Sequence, residues 1–148
     1  MRKTVLSAIG VLVIASVLLA ACGGGGGGGG GGSSIQRQQP PAEYANAANP
    51  YEGSQDAVTN GKTLFETNCS ACHGVEGKGD GAAASSMNPK PANLQTTAKD
   101  TTPQYVHWVV TVGGAGSGLN ASMPGFKGVL PEEDIWRIAT FLETTYGK

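Results

Sequence analysis

Ten consecutive glycines, Gly23 to Gly32, set the strongest limit on what this chain can fold into. A residue without a side chain buries nothing and loses the most conformational freedom on ordering, so the run cannot belong to a packed unit. Together with Ser33 and Ser34 it reads as a disordered, flexible coil with an r.m.s. reach of roughly 20 Å. Residues 35–50 are polar and broken by Pro40-Pro41 and Asn49-Pro50, which predicts extended chain rather than a folded element. Within the 148 residues, that leaves 51–148 for a single domain. A domain so small has a thin core and commonly needs a staple, a metal or a cofactor. The length excludes a two-domain enzyme and a polytopic membrane protein. From Cys22 onward the chain carries eight basic and eleven acidic residues. With no basic surplus to neutralise phosphates, no nucleic-acid partner is expected.

Ahead of the glycines, Arg2 and Lys3 precede an apolar stretch, Val5 to Ala21, that closes in Leu19-Ala20-Ala21-Cys22. A charged start, a short apolar middle and small residues before the cut describe an export signal. The ending resembles the lipobox of bacterial lipoproteins. That resemblance implies that residues 1–21 are a signal peptide and that Cys22 becomes the acylated (palmitate-type) first residue of the mature chain. The competing reading is an uncleaved anchor helix, for which the apolar stretch sits at the short limit of a bilayer span. Either way the chain is tied to a bacterial membrane with its domain on the extracytoplasmic, periplasmic side. Residues 22–50 then form a linker reaching roughly 30 Å from the lipid. Ile35 and Tyr44 are the two points in it that a partner subunit could hold.

Three cysteines are an odd number for an exported protein, in which disulfides consume them in pairs. With Cys22 taken by lipid, Cys69 and Cys72 remain, in Cys69-Ser70-Ala71-Cys72-His73. This is the C-x-x-C-H pattern of c-type haem attachment. Two thiols at that offset reach both vinyl groups of a porphyrin from one turn of chain, and His73 comes next to ligate the iron. A thioredoxin-like reading needs a βαβ setting that the sequence lacks. A four-ligand zinc site needs a second Cys or His pair, and His107 is the one other histidine. A Cys69–Cys72 disulfide would leave His73 without a role. One covalent haem c is therefore the expected cofactor.

The opposite axial position calls for a further ligand, and a Met there raises the potential. Met123 lies in Asn120-Ala121-Ser122-Met123-Pro124-Gly125-Phe126, where Pro124 stiffens the backbone beyond it. Met87 lies among residues 82–89, where nothing fixes it, and reads as a gap-filler. Met123 is the favoured ligand. His107 sits on an expected helix, Pro103 to Val112, with Thr102 as N-cap. Tyr105, Trp108, Val109 and Val112 mark its buried face by helical spacing, which turns His107 with Gln104 and Thr111 towards water.

Two more helices are expected. One runs from a cap at Ser54 or Asp56 to about Asn68, with Val58, Leu64 and Phe65 as apolar points. The other starts near Pro131, with Glu132, Glu133 and Asp134 in its first turn and Ile135, Ile138, Ala139 and Leu142 at helical spacing. Gly61 would cost about 1 kcal/mol inside a helix unless another helix crosses there, with Phe141 filling the gap. Gly116-Ser117-Gly118-Leu119-Asn120-Ala121 imitates a dinucleotide-binding loop but lacks the helix such a loop must open. Glycines that let backbone pass close to a large planar group account for the same letters. No strand is expected, and the fold class is all-α.

These residues resemble the mono-haem class I cytochromes c of bacteria over about Gly53 to Tyr146. The resemblance rests on Gly61 and Phe65, on Cys69 to Gly74 with Gly77, Gly79, Asp80 and Gly81, on Pro91-Ala92-Asn93-Leu94, on Met123 to Phe126, and on Ile135-Trp136 through Phe141-Leu142. It implies three to four helices around one haem, with His73 and Met123 as iron ligands. It also implies that the Pro91 carbonyl accepts a hydrogen bond from the far nitrogen of His73. The lipid anchor, the polar arm and Asn49-Pro50-Tyr51 are similar to the mono-haem lipoprotein subunit of alternative complex III, a quinol-oxidising respiratory complex. The function expected is a membrane-tethered one-electron carrier, not an enzyme, working beside redox partners in a larger respiratory or photosynthetic complex. The alternative is a haem enzyme or gas sensor with an open sixth position.

Overall fold

The structure is a computed structural model that describes residues 37–148; the signal segment, Cys22, the glycine run and Ile35 lie outside the described residues. Three long helices carry the fold: α2 (Gln55–Asn68), α5 (Pro103–Gly116) and α6 (Glu132–Tyr146). Three single turns accompany them: α1 (Ala42–Ala45), α3 (Ser70–His73) and α4 (Leu94–Thr97). Short 3-10 turns cover Ala82–Ser86 and Ala98–Asp100. No strand occurs among the described residues, where Lys127 and Leu130 form an isolated bridge.

Each long helix begins where its sequence says it should. The Ser54 hydroxyl accepts the Ala57 N–H at the head of α2, and the Thr102 hydroxyl accepts the Tyr105 N–H ahead of Pro103 in α5. Helix α6 opens after Pro131 with no side-chain cap, so its three acidic first-turn residues are left to complement the exposed N–H groups.

The core lies where α2 crosses α6. Phe65, Ile138, Phe141 and Leu142 form its buried cluster, with Val58, Leu64, Leu94, Leu130 and Tyr146 packed around it. Phe65 and Phe141 meet at a centroid distance of 5.6 Å in a tilted pair. Gly61 sets the approach: a Cβ there would run into the Arg137 carbonyl and stand 2.9 Å from the Phe141 Cβ. The expected crossing is present, and its closeness accounts for a glycine in mid-helix.

The arm departs from expectation. Residues 35–50 read as extended linker, yet the described part of that arm, residues 37–50, belongs to the same compact unit as the helices. Pro41 leads into α1, the Asn49 amide donates to the Thr140 hydroxyl at 3.0 Å, and the Gln104 amide donates to the Ala47 carbonyl at 3.2 Å. Arg37 also donates to the Asp100 carbonyl. A four-residue turn has no amphipathic period of its own, so local sequence carries no mark of this docking.

Candidate haem site

Helix α2 delivers the attachment motif. Its last turn continues through Cys69, whose N–H bonds the Phe65 carbonyl, into α3, so both cysteines and His73 sit on one short helical stretch. Cys69 and Cys72 carry free thiols and are half-buried. Burial, with a smaller contribution from nearby Cys72, pushes the Cys69 thiol up to about 12. Cys69 is thus held neutral, and the two thiols are not bonded to each other, which leaves each free for a separate vinyl group.

His73 is oriented from behind. Its Nδ1 lies 3.2 Å from the Ala92 carbonyl oxygen; a carbonyl only accepts, so Nδ1 carries the proton and Nε2 keeps a free lone pair for a metal. Burial lowers the His73 pKa against the weaker opposing effect of that hydrogen bond, which favours the neutral, ligating ring. This corrects the expectation for Pro91. The contact is made by a main-chain oxygen, so it selects a position and not a side chain, and that position is Ala92, directly ahead of Asn93-Leu94. Pro91 points its carbonyl at Gly79 instead. A Cβ on Gly79 would collide with that oxygen and stand 3.2 Å from the Ala92 oxygen. With φ of 76°, Gly79 allows the 74–81 loop to press against this segment while its N–H bonds the His73 carbonyl at 2.8 Å. Leu94 N–H to Gly77 O at 2.7 Å and the Gln95 amide to Glu76 O at 2.8 Å complete the brace.

Met123 is half-buried in a loop stitched onto the end of α5. The Gly114 N–H donates to the Met123 carbonyl, Phe126 N–H to Val110 O and Lys127 N–H to Thr111 O, at 2.9, 2.9 and 3.1 Å. The stitch needs Gly113, where φ of 75° breaks the helix at the end expected from sequence, and where a Cβ would stand 2.5 Å from the Gly125 nitrogen. The Asn120 amide reaches the Pro89 carbonyl at 3.0 Å, tying this loop to the chain that leads to Ala92. The glycines of the false nucleotide motif serve the chain's own packing: a Cβ on Gly116 would press on Val112, and one on Gly118 on Gln38. Met87 ends a 3-10 turn and is also half-buried.

His107 does not face water. It is 3% exposed, its ring lies on Trp136 at 3.9 Å and 13°, and Tyr44 of the arm stands 5.9 Å away. The helical spacing gave its direction correctly, on the face shared with Gln104 and Thr111; the arm and α6 cover that face. Tyr44 accordingly points into its own domain.

Fold and site together define a small helical domain in which two free thiols and a fixed imidazole on one short stretch could hold one porphyrin. Residues 56–142 match the family described as cytochrome c oxidase, cbb3-type, subunit III, and the chain belongs to that cytochrome c family. It is 31% identical over 85 residues to cytochrome c6 of Synechocystis sp., covering 57% of this chain and 62% of that relative, short of two thirds of its length. Among solved structures it is similar to the reducing HAO-like protein complex of Kuenenia stuttgartiensis, with a TM-score of 0.50 and 27% identity over 62% of this chain and 44% of that one. Cytochrome cL of Methylophaga aminisulfidivorans aligns with a TM-score of 0.49 and 22% identity over 66% of this chain and 60% of that one. The protein is a mono-haem class I cytochrome c, and that family implies one covalently bound haem c.

Proposed function

We propose that this protein is a lipid-tethered one-electron carrier whose iron is held by His73 and Met123, serving redox partner proteins at the outer side of a bacterial membrane. Bound haem supplies reversible one-electron cycling between Fe(II) and Fe(III). The residues of the chain do the rest. Cys69 and Cys72 hold the group covalently, so it is not lost outside the cell. Ala92 fixes the tautomer and direction of His73. The Gly113–Gly114 stitch holds the Met123 backbone against α5, so a weak thioether ligand needs little ordering at the moment it binds. A site held rigidly on both sides changes little between oxidation states, which keeps electron exchange fast.

The observation that carries this reading is the His73 Nδ1 bond to the Ala92 carbonyl, which leaves Nε2 as the ligating atom, in a domain whose Met123 loop is independently clamped. The apolar leader and Leu19-Ala20-Ala21-Cys22 support acylation of Cys22, and a tether raises the effective concentration of a partner into the mM range. That the Kuenenia neighbour belongs to a protein complex supports partner proteins for this chain as well; a subunit role in alternative complex III rests on the resemblance of its anchor, arm and Asn49-Pro50-Tyr51 alone.

Carbon monoxide tests the ligand set. The ferrous wild-type protein should resist it, and Met123→Ala should bind it rapidly, with a lowered reduction potential. Full binding by the wild type would instead establish an open sixth position and a sensor or enzyme. For the anchor, Cys22→Ser should move the haem protein from the membrane fraction to the soluble one; continued retention would overturn the lipid reading.

A further inference from the structure

His107 is the one buried histidine among the described residues, and both its ring nitrogens lack a hydrogen-bond partner. A neutral imidazole tolerates this poorly, and an imidazolium tolerates it far worse, because it presents two charged donors and is shut off from water. The groups that face it are known. From α6 come the Trp136 ring, stacked at 3.9 Å, and the Glu132 carboxylate, with an oxygen 3.9 Å from Nε2 but otherwise exposed. From the arm comes the Tyr44 phenol ring. Glu132 is the one charge among them, and its attraction is the smaller influence: burial wins and lowers the His107 pKa.

A protonated His107 must therefore be hydrated, and two routes lead water to it. Parting α5 from α6 would expose Trp136, 4% accessible, along with the buried face of α6. Lifting the arm uncovers less: no residue of α1 is fully buried, the half-buried Tyr44 is the one large ring it would free, and the rest of the arm is held by side-chain hydrogen bonds from Asn49, Gln104 and Arg37. The second route is much cheaper, and local opening takes the cheapest route.

We propose that residues 37–50 are an acid-released latch, closed over α5 while His107 is a neutral imidazole and opened by its protonation. The sign follows from linkage. The open state binds the proton better, so closure is at full strength above the ordinary histidine pKa of about 6.5 and weakens as pH falls below it. The latch itself does not depend on the lipid. Its consequence does rest on the tether proposed above: opening adds residues 37–50 to the leash, extending the reach from Cys22 from roughly 20 Å to roughly 30 Å. Acid would thus let the haem domain search a wider volume for its partner.

Hydrogen exchange of the haem-loaded protein in detergent tests this between pH 7.5 and 4.5, with rates corrected for intrinsic exchange. The amides to follow are those of Ala45, Asn46 and Ala47, which bond Pro41, Ala42 and Tyr44 carbonyls inside the arm. Their protection should hold above about pH 6.5 and drop by up to tenfold per pH unit below it. His107→Phe keeps a ring against Trp136 and removes the proton site, so its arm protection should be independent of pH. Glu132→Gln removes the carboxylate that favours the imidazolium in the closed state, so its loss of protection should begin at the same pH but run deeper, with the lower end of the titration shifted further into acid. Flat protection in the wild type, protection that rises with acid, or the same fall in His107→Phe would overturn the latch. Should His107→Phe not fold, the Glu132→Gln shift decides. Repeating the titration on Cys22→Ser separates the two ideas, since loss of the anchor leaves the latch titration unchanged.

Discussion

Two helix faces in this protein are covered by quite different means. Where α2 meets α6, the contact is hydrocarbon and aromatic, brought to close range by Gly61 and centred on Phe65, 1% exposed. Where the arm meets α5 and α6, the contact is mostly polar: a buried imidazole, a glutamine bonded to a carbonyl, and an asparagine bonded to Thr140 of α6. The first gains free energy at any pH, because apolar burial involves no ionisable group. The second depends on the ionisation state of one ring. A domain that must hold its cofactor rigidly while its attachment stays adjustable has reason to use both.

The largest separation between the two faces should come from Phe65→Ala. Removing a fully buried aromatic ring at the α2–α6 crossing should lower the unfolding free energy of the haem-loaded protein by about 3–5 kcal/mol, read by denaturant titration. Arm exchange well below the unfolding transition should be little changed. A loss under 1 kcal/mol would mean that the crossing is not where stability resides. A smaller effect belongs to Asn49→Ala. It removes one hydrogen bond between the arm and Thr140, whose hydroxyl still reaches the Trp136 carbonyl at 2.9 Å, so the cost should be about 1 kcal/mol. That cost should appear as faster arm exchange at neutral pH, with the global transition nearly unmoved. Equal destabilisation of arm and core by either substitution would erase the contrast drawn here.

The site shows the same division between near and far in sequence. Cys69, Cys72 and His73 lie within one turn, and their spacing alone states their chemistry. Ser54 and Thr102 were legible as caps for the same reason: a cap acts on an N–H three residues away. The carbonyl behind His73 was misplaced by one residue because main-chain oxygens leave no signature in side-chain identity. The four residues Pro91 to Leu94 offered a proline as the visible landmark, while the structure uses its neighbour. His107 was aimed correctly by helical period and given the wrong surroundings, because a helical wheel names a direction and not what occupies it.

Sequence by itself determined the helical frame, the C-x-x-C-H cysteine pair with its histidine, and Gly61 as the point where helix crosses helix, since each depends on covalent spacing or on the conformational limits of single residues. Tertiary structure alone decided that the arm folds back, that Ala92 and not Pro91 steadies the imidazole, and that His107 is shut away from water. These outcomes require segments far apart along the chain to meet, and the free energy of such meetings is a property of the assembled surfaces rather than of any stretch of residues.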